Sequence, residues 1–179
     1  MIIGLSGYAQ SGKDATANLL CLNYDYKRIA FADPMRHALQ TINPRLDSIT
    51  RVSDLVDDYG WDVAKKNPEV RRLLQVIGTD FGRKMLGDDV WVKMAVRDLR
   101  QGDRVVISDV RFPNEADAIK KLGGTVWRIN RKDNSAVNHH PSEHAMDNYM
   151  FSQVIYNDGT LEDLSDEVFM LAKKLGLNT

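Results

Sequence analysis

Gly7, Gly12 and Lys13, in the stretch GLSGYAQSGKDATANLL, have the spacing G-x-x-x-x-G-K of a loop whose main-chain N–H groups turn inward around phosphate. The pattern lies between a short apolar run, Met1–Ser6, and an apolar-periodic segment, Lys13–Leu22. That strand-to-helix context adds the positive end of a helix to the same point. Lys13 would reach the outer phosphates of a nucleotide as a point charge. The next position usually carries a hydroxyl that holds Mg²⁺, and here it is Asp14. A carboxylate is a good ligand for a hard cation, but an acid in a first helical turn also complements the helix dipole. Thr16, two residues on, offers a hydroxyl of open direction.

A second group follows in VVISDVRFPNE. Asp109 stands just beyond a buried apolar run, where ligands of open α/β sheets bind. Phosphoryl transfer needs such an acid near Mg²⁺, and Arg111, two residues later, would clamp a phosphate. FADPMR places Asp33 and Arg36 on one turn. In LLQVIGTDFGRKML, Gln75, Thr79 and Arg83 recur at i,i+4, so an α-helix would bring amide, hydroxyl and guanidinium to one face. Asp80 reads equally as part of a solvated face. Arg128 and Arg131 come from a strand end, and NRKDNSAVNHHPSEHAMD then brings His139, His140, Ser142, Glu143 and His144. The spacing H-H-x₃-H fits no zinc pattern, so a lid carrying Arg131 over the phosphates is expected instead. Asn157, in YNDGT, sits where a loop would hold a purine, or simply in a turn into a capped helix.

These residues need a scaffold, and the pattern of apolar residues supplies one. Strands are expected over Met1–Ser6, Lys27–Phe31, Arg104–Val110, Thr125–Asn130 and Gln153–Tyr156. Helices are expected over Lys13–Leu22, Met35–Thr41 (with Asp33 as cap), near Val52–Tyr59, from Pro68 or Glu69 through Ile77, over Val90–Leu99, and over Asn114–Leu122. Thr160 and Asp163 form a capping box for a last helix with Leu161, Leu164, Val168, Leu171 and Leu175 on one face. Alternating strands and helices imply an α/β fold with a mostly parallel central sheet. One domain over residues 1–179 suits the length, with an excursion over about 33–90 and a lid-like segment over about 131–149.

Composition narrows the class of function. There are 24 Lys and Arg against 25 Asp and Glu, a net charge of −1, so no dedicated nucleic-acid surface is expected. The single cysteine, Cys21, permits no intrachain disulfide. No apolar run approaches a membrane span. A cytoplasmic protein without nucleic-acid or membrane partners is the expectation.

Taken together, SGYAQSGKDATA, FADPMR, LLQVIGTDFGR, SDVRFPNEADAI, GGTVWRINR, HPSEHAMD and VIYNDGTLEDL resemble the bacteriophage deoxynucleoside monophosphate kinases, within the P-loop nucleoside monophosphate kinase group. The motifs run from residue 6 to residue 164. Aspartate after the lysine is similar to that family's own form. The family usually continues with threonine, and Ala15 replaces it here, so a hydroxyl contact at that position does not carry over. The resemblance implies a three-layer P-loop kinase fold with NMP-binding and lid-like excursions. It implies ATP and Mg²⁺, a deoxynucleoside monophosphate acceptor and a homodimer. Lys13, Arg111 and Arg131 are then the candidate catalytic residues, and Asp14 and Asp109 the metal ligands. Gly7, Gln10, Ser11, Gly12, Lys13, Asp14, Ala15, Thr16 and Asn157 are the cofactor candidates. Asp33, Arg36, Gln75, Thr79, Arg83, Trp91, Arg111 and Glu143 are the acceptor candidates. Two rivals stay open: a kinase for another phosphorylated small molecule, phosphomevalonate-like or dephospho-coenzyme A-like, and a nucleotide switch. YNDGT lacks the lysine of the guanine motif that a GTPase switch would carry.

Overall fold

Every residue of β1 (Ile2–Ser6) is buried, as expected of a strand covered on both faces. In the computed structural model, which describes residues 1–132 and 144–177, β1 is the centre of a five-stranded parallel sheet. The other strands are β2 (Lys27–Ile29), β3 (Val105–Ile107), β4 (Thr125–Asn130) and β5 (Gln153–Tyr156), in the order β2-β3-β1-β4-β5. β1 pairs with β3 through Ile3–Val106 and with β4 through Ser6–Arg128. Ile3 and Leu5 join Trp127, Ile129 and Ile155 in a core with Leu20 of α1 (Lys13–Tyr24) and Leu164 and Val168 of a C-terminal helix, Leu161–Lys174. Gly4 points to the other face, where a Cβ would stand 2.5 Å from Ile119 of the helix Pro113–Lys121. Helices therefore cover the sheet on both faces, a three-layer α/β arrangement.

β4 and β5 have the expected bounds. β2 and β3 are shorter than expected. The Phe31 N–H, which would have continued the β2 ladder, donates instead to Asp109 Oδ1 at 2.7 Å. The C-terminal helix carries the expected box, with Asp163 N–H donating to Thr160 Oγ1 and Thr160 N–H to Asp163 Oδ2. Its buried stripe differs in one place: Leu161 is exposed, and Ala172 takes the inward position a turn after Val168.

The chain divides into two compact units, residues 1–31 with 98–179, and residues 32–97. The second spans the stretch read as an excursion over about 33–90. It is helical: α2 (Asp33–Ile42), α3 (Val52–Ala64), α4 (Pro68–Gln75), a π-helix (Val76–Leu86) and α5 (Val90–Val96). With α6 for Pro113–Lys121 and α7 for Leu161–Lys174, the described helices are complete. Its core gathers Leu39, Val52 and Val70, with Leu55, Trp61, Leu73 and Ile77 packed around them. Ala32, not Asp33, is the residue before α2, and α3 runs past Tyr59 across a break at Gly60. Asn67 caps α4, its side chain accepting from the N–H groups of Glu69 and Val70.

The π-helix corrects the most specific of the sequence expectations. An i,i+4 face requires α-helical winding, and from Val76 onward the bonds run to i+5. Thr79 and Arg83 therefore do not line up with Gln75 as an α-helix would place them. Gly78 and Gly82 are the cause on offer: Trp91 Nε1 donates to the Gly78 carbonyl at 2.8 Å, and the Trp91 ring lies against Gly82 where a Cβ would clash.

Candidate active site

The loop after β1 turns on two glycines. Gly7 has φ 151° and Gly12, the residue before α1, has φ 108°, a left-handed conformation that L side chains avoid. Gln10 adopts φ 62°, which costs a residue other than glycine about 1 kcal/mol or more. Ser11 N–H closes the turn on the Tyr8 carbonyl at 3.2 Å, and Thr16 N–H reaches the Gly12 carbonyl at 2.9 Å as the helix starts. Lys13 folds over the loop, its Nζ donating to the carbonyls of Gly7 (2.8 Å) and Tyr8 (2.6 Å). Its ammonium thus lies at the rim of the turn.

Asn157, read either as a purine contact or as part of a turn, meets the phosphate loop itself. Its N–H donates to the Asn130 carbonyl at 2.7 Å, and its buried side-chain amide donates to the Ser11 carbonyl at 2.9 Å. Gly12 passes so near that amide that a Cβ would overlap it. Asn157 therefore braces the loop from behind. Ser11 Oγ and Thr16 Oγ1 are buried and have no hydrogen-bond partner among the described residues, and the partly buried Ala15 packs against the core.

The acids of the site are held by this chain's own groups. Asp14, an exposed side chain, forms an ion pair with Arg28, whose Nε also donates to Ser108 Oγ at 3.1 Å. Asp109 lies just past β3, half-buried, with the Phe31 N–H on Oδ1. Among the described residues no three acidic, cysteine or histidine side chains cluster as a metal cage. Mg²⁺ asks for less, since it keeps several waters and is commonly bound by one or two carboxylates plus substrate phosphates. The hard oxygens of Asp14 and Asp109 fit that demand.

Arg111 starts the turn into α6. Buried Glu115 accepts its N–H at 2.7 Å and that of Phe112 at 3.1 Å, so a carboxylate at the helix start fixes the main chain that carries the guanidinium. Arg111 and Arg128 line a shallow pocket with Ser6, Gly7, Ala9 and Val110, closed on one side by Met146. Arg131 is exposed just beyond β4.

Of the corner beside this pocket, the sequence singled out Arg128 and His144 but not Tyr8 or Asp147. Tyr8 OH donates to Asp147 Oδ1 at 2.8 Å, His144 Nδ1 lies 3.1 Å from Asp147 Oδ2, and the Arg128 guanidinium sits 4.6 Å from the Tyr8 ring centre. Accepting that bond holds the Asp147 charge against the phenol, so the Tyr8 hydroxyl is pushed above its ordinary pKa. Burial pushes the Asp147 carboxyl up, but the Tyr8 and His144 hydrogen bonds and the Arg128 charge outweigh it and leave it below the usual value. The signal available was an arginine inside the apolar strand TVWRIN.

The acceptor candidates Asp33, Arg36, Gln75, Thr79, Arg83 and Trp91 belong to the second unit. Arg36 pairs with Asp33 at 3.1 Å and lies 6.0 Å from the Trp61 ring centre. Gln75 and Thr79 are exposed and Arg83 is half-buried. Trp91 is 7% exposed, with Nε1 donating to the Gly78 carbonyl and its ring against Gly82. Glu143, His139 and His140 fall outside the described residues.

A glycine turn closing on a helix start, at the carboxyl end of the central strand of a parallel sheet, defines a P-loop phosphotransferase fold. The comparisons narrow it. The family model for deoxynucleotide monophosphate kinase matches residues 44–168. The chain is 30% identical to a protein of Acanthamoeba polyphaga mimivirus assigned as a deoxynucleotide monophosphate kinase, covering 94% of each. It is 25% identical to the deoxynucleotide monophosphate kinase of Enterobacteria phage T4, covering 93% of this chain and 96% of that one. Among solved structures it is similar to shikimate kinase from Aquifex aeolicus, at 13% identity and a TM-score of 0.48. The chain belongs to the deoxynucleotide monophosphate kinase family and is a phosphotransferase.

Proposed function

We propose that this protein transfers the γ-phosphoryl group of ATP to the phosphate of a deoxynucleoside monophosphate, giving the diphosphate and ADP. The observation that carries the reading is the loop of Gly7–Lys13, with Lys13 Nζ folded on its rim at 2.6–2.8 Å, in a chain of this family. The loop amides from Gly7 to Lys13 bind the polyphosphate, and Lys13 moves from the carbonyls of Gly7 and Tyr8 onto its outer phosphates. Asn157 holds Ser11 so that the turn does not reorganise on binding.

Asp14 and Asp109 would hold Mg²⁺, which when bound neutralises charge on the phosphates. Arg28 pairs with Asp14, so for that carboxylate to hold the ion Arg28 would have to release it. Arg111 positions the acceptor phosphate, and Arg131 closes over the group in transit. Arg36 and Arg83 are the second unit's candidates for the acceptor. No general base is required, because a phosphate oxygen is already ionised near neutral pH. Positioning and charge neutralisation carry the rate. The protein would act in the cytoplasm of its cell, a reading supported by phage and viral relatives, and as the homodimer that the family resemblance implies.

Coupled ADP release across the common NMPs and dNMPs tests the reading. Acceptor-dependent turnover with one or more dNMPs is expected. Turnover only with phosphomevalonate or dephospho-coenzyme A would move the acceptor class, and ATP hydrolysis indifferent to acceptor would favour a switch.

A further inference from the structure

Arg128 is the one basic side chain among the described residues that is buried, at 8% exposure, and the scheme above gives it nothing to do. It stands opposite Ser6 in the β1–β4 register, one residue before the loop begins. Its guanidinium lies between two rings, 4.6 Å from the centre of Tyr8 and 5.6 Å from that of Phe151. Nε donates to Asn130 Oδ1 at 3.2 Å. The carboxylate facing it, Asp147 Oδ1, is 3.7 Å away, past hydrogen-bond length, and is already taken by Tyr8 OH. A buried cation with so loose a counter-ion is costly unless another anion arrives.

Among the described residues, none that lines the pocket it shares with Arg111 is acidic. Two guanidiniums beside Gly7, at the rim on which Lys13 sits, suit a dianionic phosphate held by planar N–H edges. Aromatic faces fix the plane of a guanidinium while leaving its edge to bond.

We propose that Arg128 contacts the acceptor's phosphate together with Arg111, and that Tyr8, Phe151 and Asp147 set its orientation. The proposal rests on the kinase reading of this pocket. Loss of a charged hydrogen bond to phosphate should lower kcat/KM for the dNMP by about tenfold to a hundredfold in Arg128→Met, with KM for ATP changed less than about twofold. Arg128→Lys, which keeps the charge but not the plane, should recover part of the loss.

A ³¹P NMR titration with inorganic phosphate, run on wild type and both variants, separates contact from bracing. Weaker phosphate binding in Arg128→Met, with melting temperature held in Arg128→Lys, supports contact. Phosphate binding equal to wild type in both variants overturns it. So does an equal loss in ATP and dNMP parameters that Asp147→Asn reproduces, because that is the mark of a structural brace. If wild type shows no dNMP-dependent ADP release but binds phosphate through Arg128, the acceptor reading fails and the phosphate contact stands.

Discussion

The two units of this chain place polar chemistry in opposite ways. In the sheet unit the candidate phosphate and metal groups are held by main chain and by buried side chains: Asn157 on the Ser11 carbonyl, Glu115 on the Arg111 amide, the Phe31 amide on Asp109. In the helical unit the candidate Arg36 pairs with its sequence neighbour Asp33, and the Asp80 carboxylate is likewise paired locally, with Lys84. Its core is also smaller, and Phe81, Met85 and Leu86 of the π-helix are exposed. A parallel sheet fixes geometry through long-range pairing, whereas a helical unit with a small core fixes it locally. The first suits a preorganised phosphate site. The second suits recognition that adapts to its ligand.

The contrast is sharpest in stability. Leu5→Ala removes a fully buried side chain from the sheet core and should cost about 2–5 kcal/mol, read as a shift of the global urea midpoint. A loss below about 1 kcal/mol would mean the sheet is no better packed than the helical unit. Gly82→Ala pushes a methyl into the Trp91 ring and should cost about 1–3 kcal/mol. Amide exchange should accelerate first in Val76–Leu86 in that variant, leaving β1 and β4 protected. Exchange that speeds up equally in both units would break the comparison.

The smallest effect is at the Tyr8–Asp147 corner. The folded Asp147 carboxyl titrates below its unfolded value. Its contribution is therefore complete above the unfolded pKa of about 3.9 and is lost as pH falls through the lower folded pKa. The melting-temperature gap between wild type and Asp147→Asn should be constant near neutrality and shrink on acidification below about pH 4. A gap that stays unchanged on acidification would show that the Asp147 charge contributes nothing to the fold.

Local signals in the sequence were faithful wherever local chemistry decides structure. The apolar run before Gly7 became β1, TVWRIN and QVIY became β4 and β5, and Thr160 with Asp163 capped α7. Three features depended on partners far along the chain and could not be read that way. Asn157 meets Ser11 across 146 residues, and Tyr8 meets Asp147 across 139. The π-helix is set by Trp91 docking on Gly78 and Gly82, which apolar periodicity does not encode. Asp14 was legible as an acid beside the loop, but its pairing with Arg28 comes from β2 lying near the start of α1. Family resemblance gave the acceptor class, which no spacing in the chain specifies.

The central claim is that the amides of Gly7–Lys13 and the Lys13 ammonium grip the polyphosphate of ATP. Single-turnover phosphorylation of a dNMP by Lys13→Ala, with its melting curve beside that of wild type, tests it most directly. A rate lowered by about a thousandfold or more, with the melting temperature unchanged, is the predicted result. A rate near that of wild type in a folded variant would contradict it.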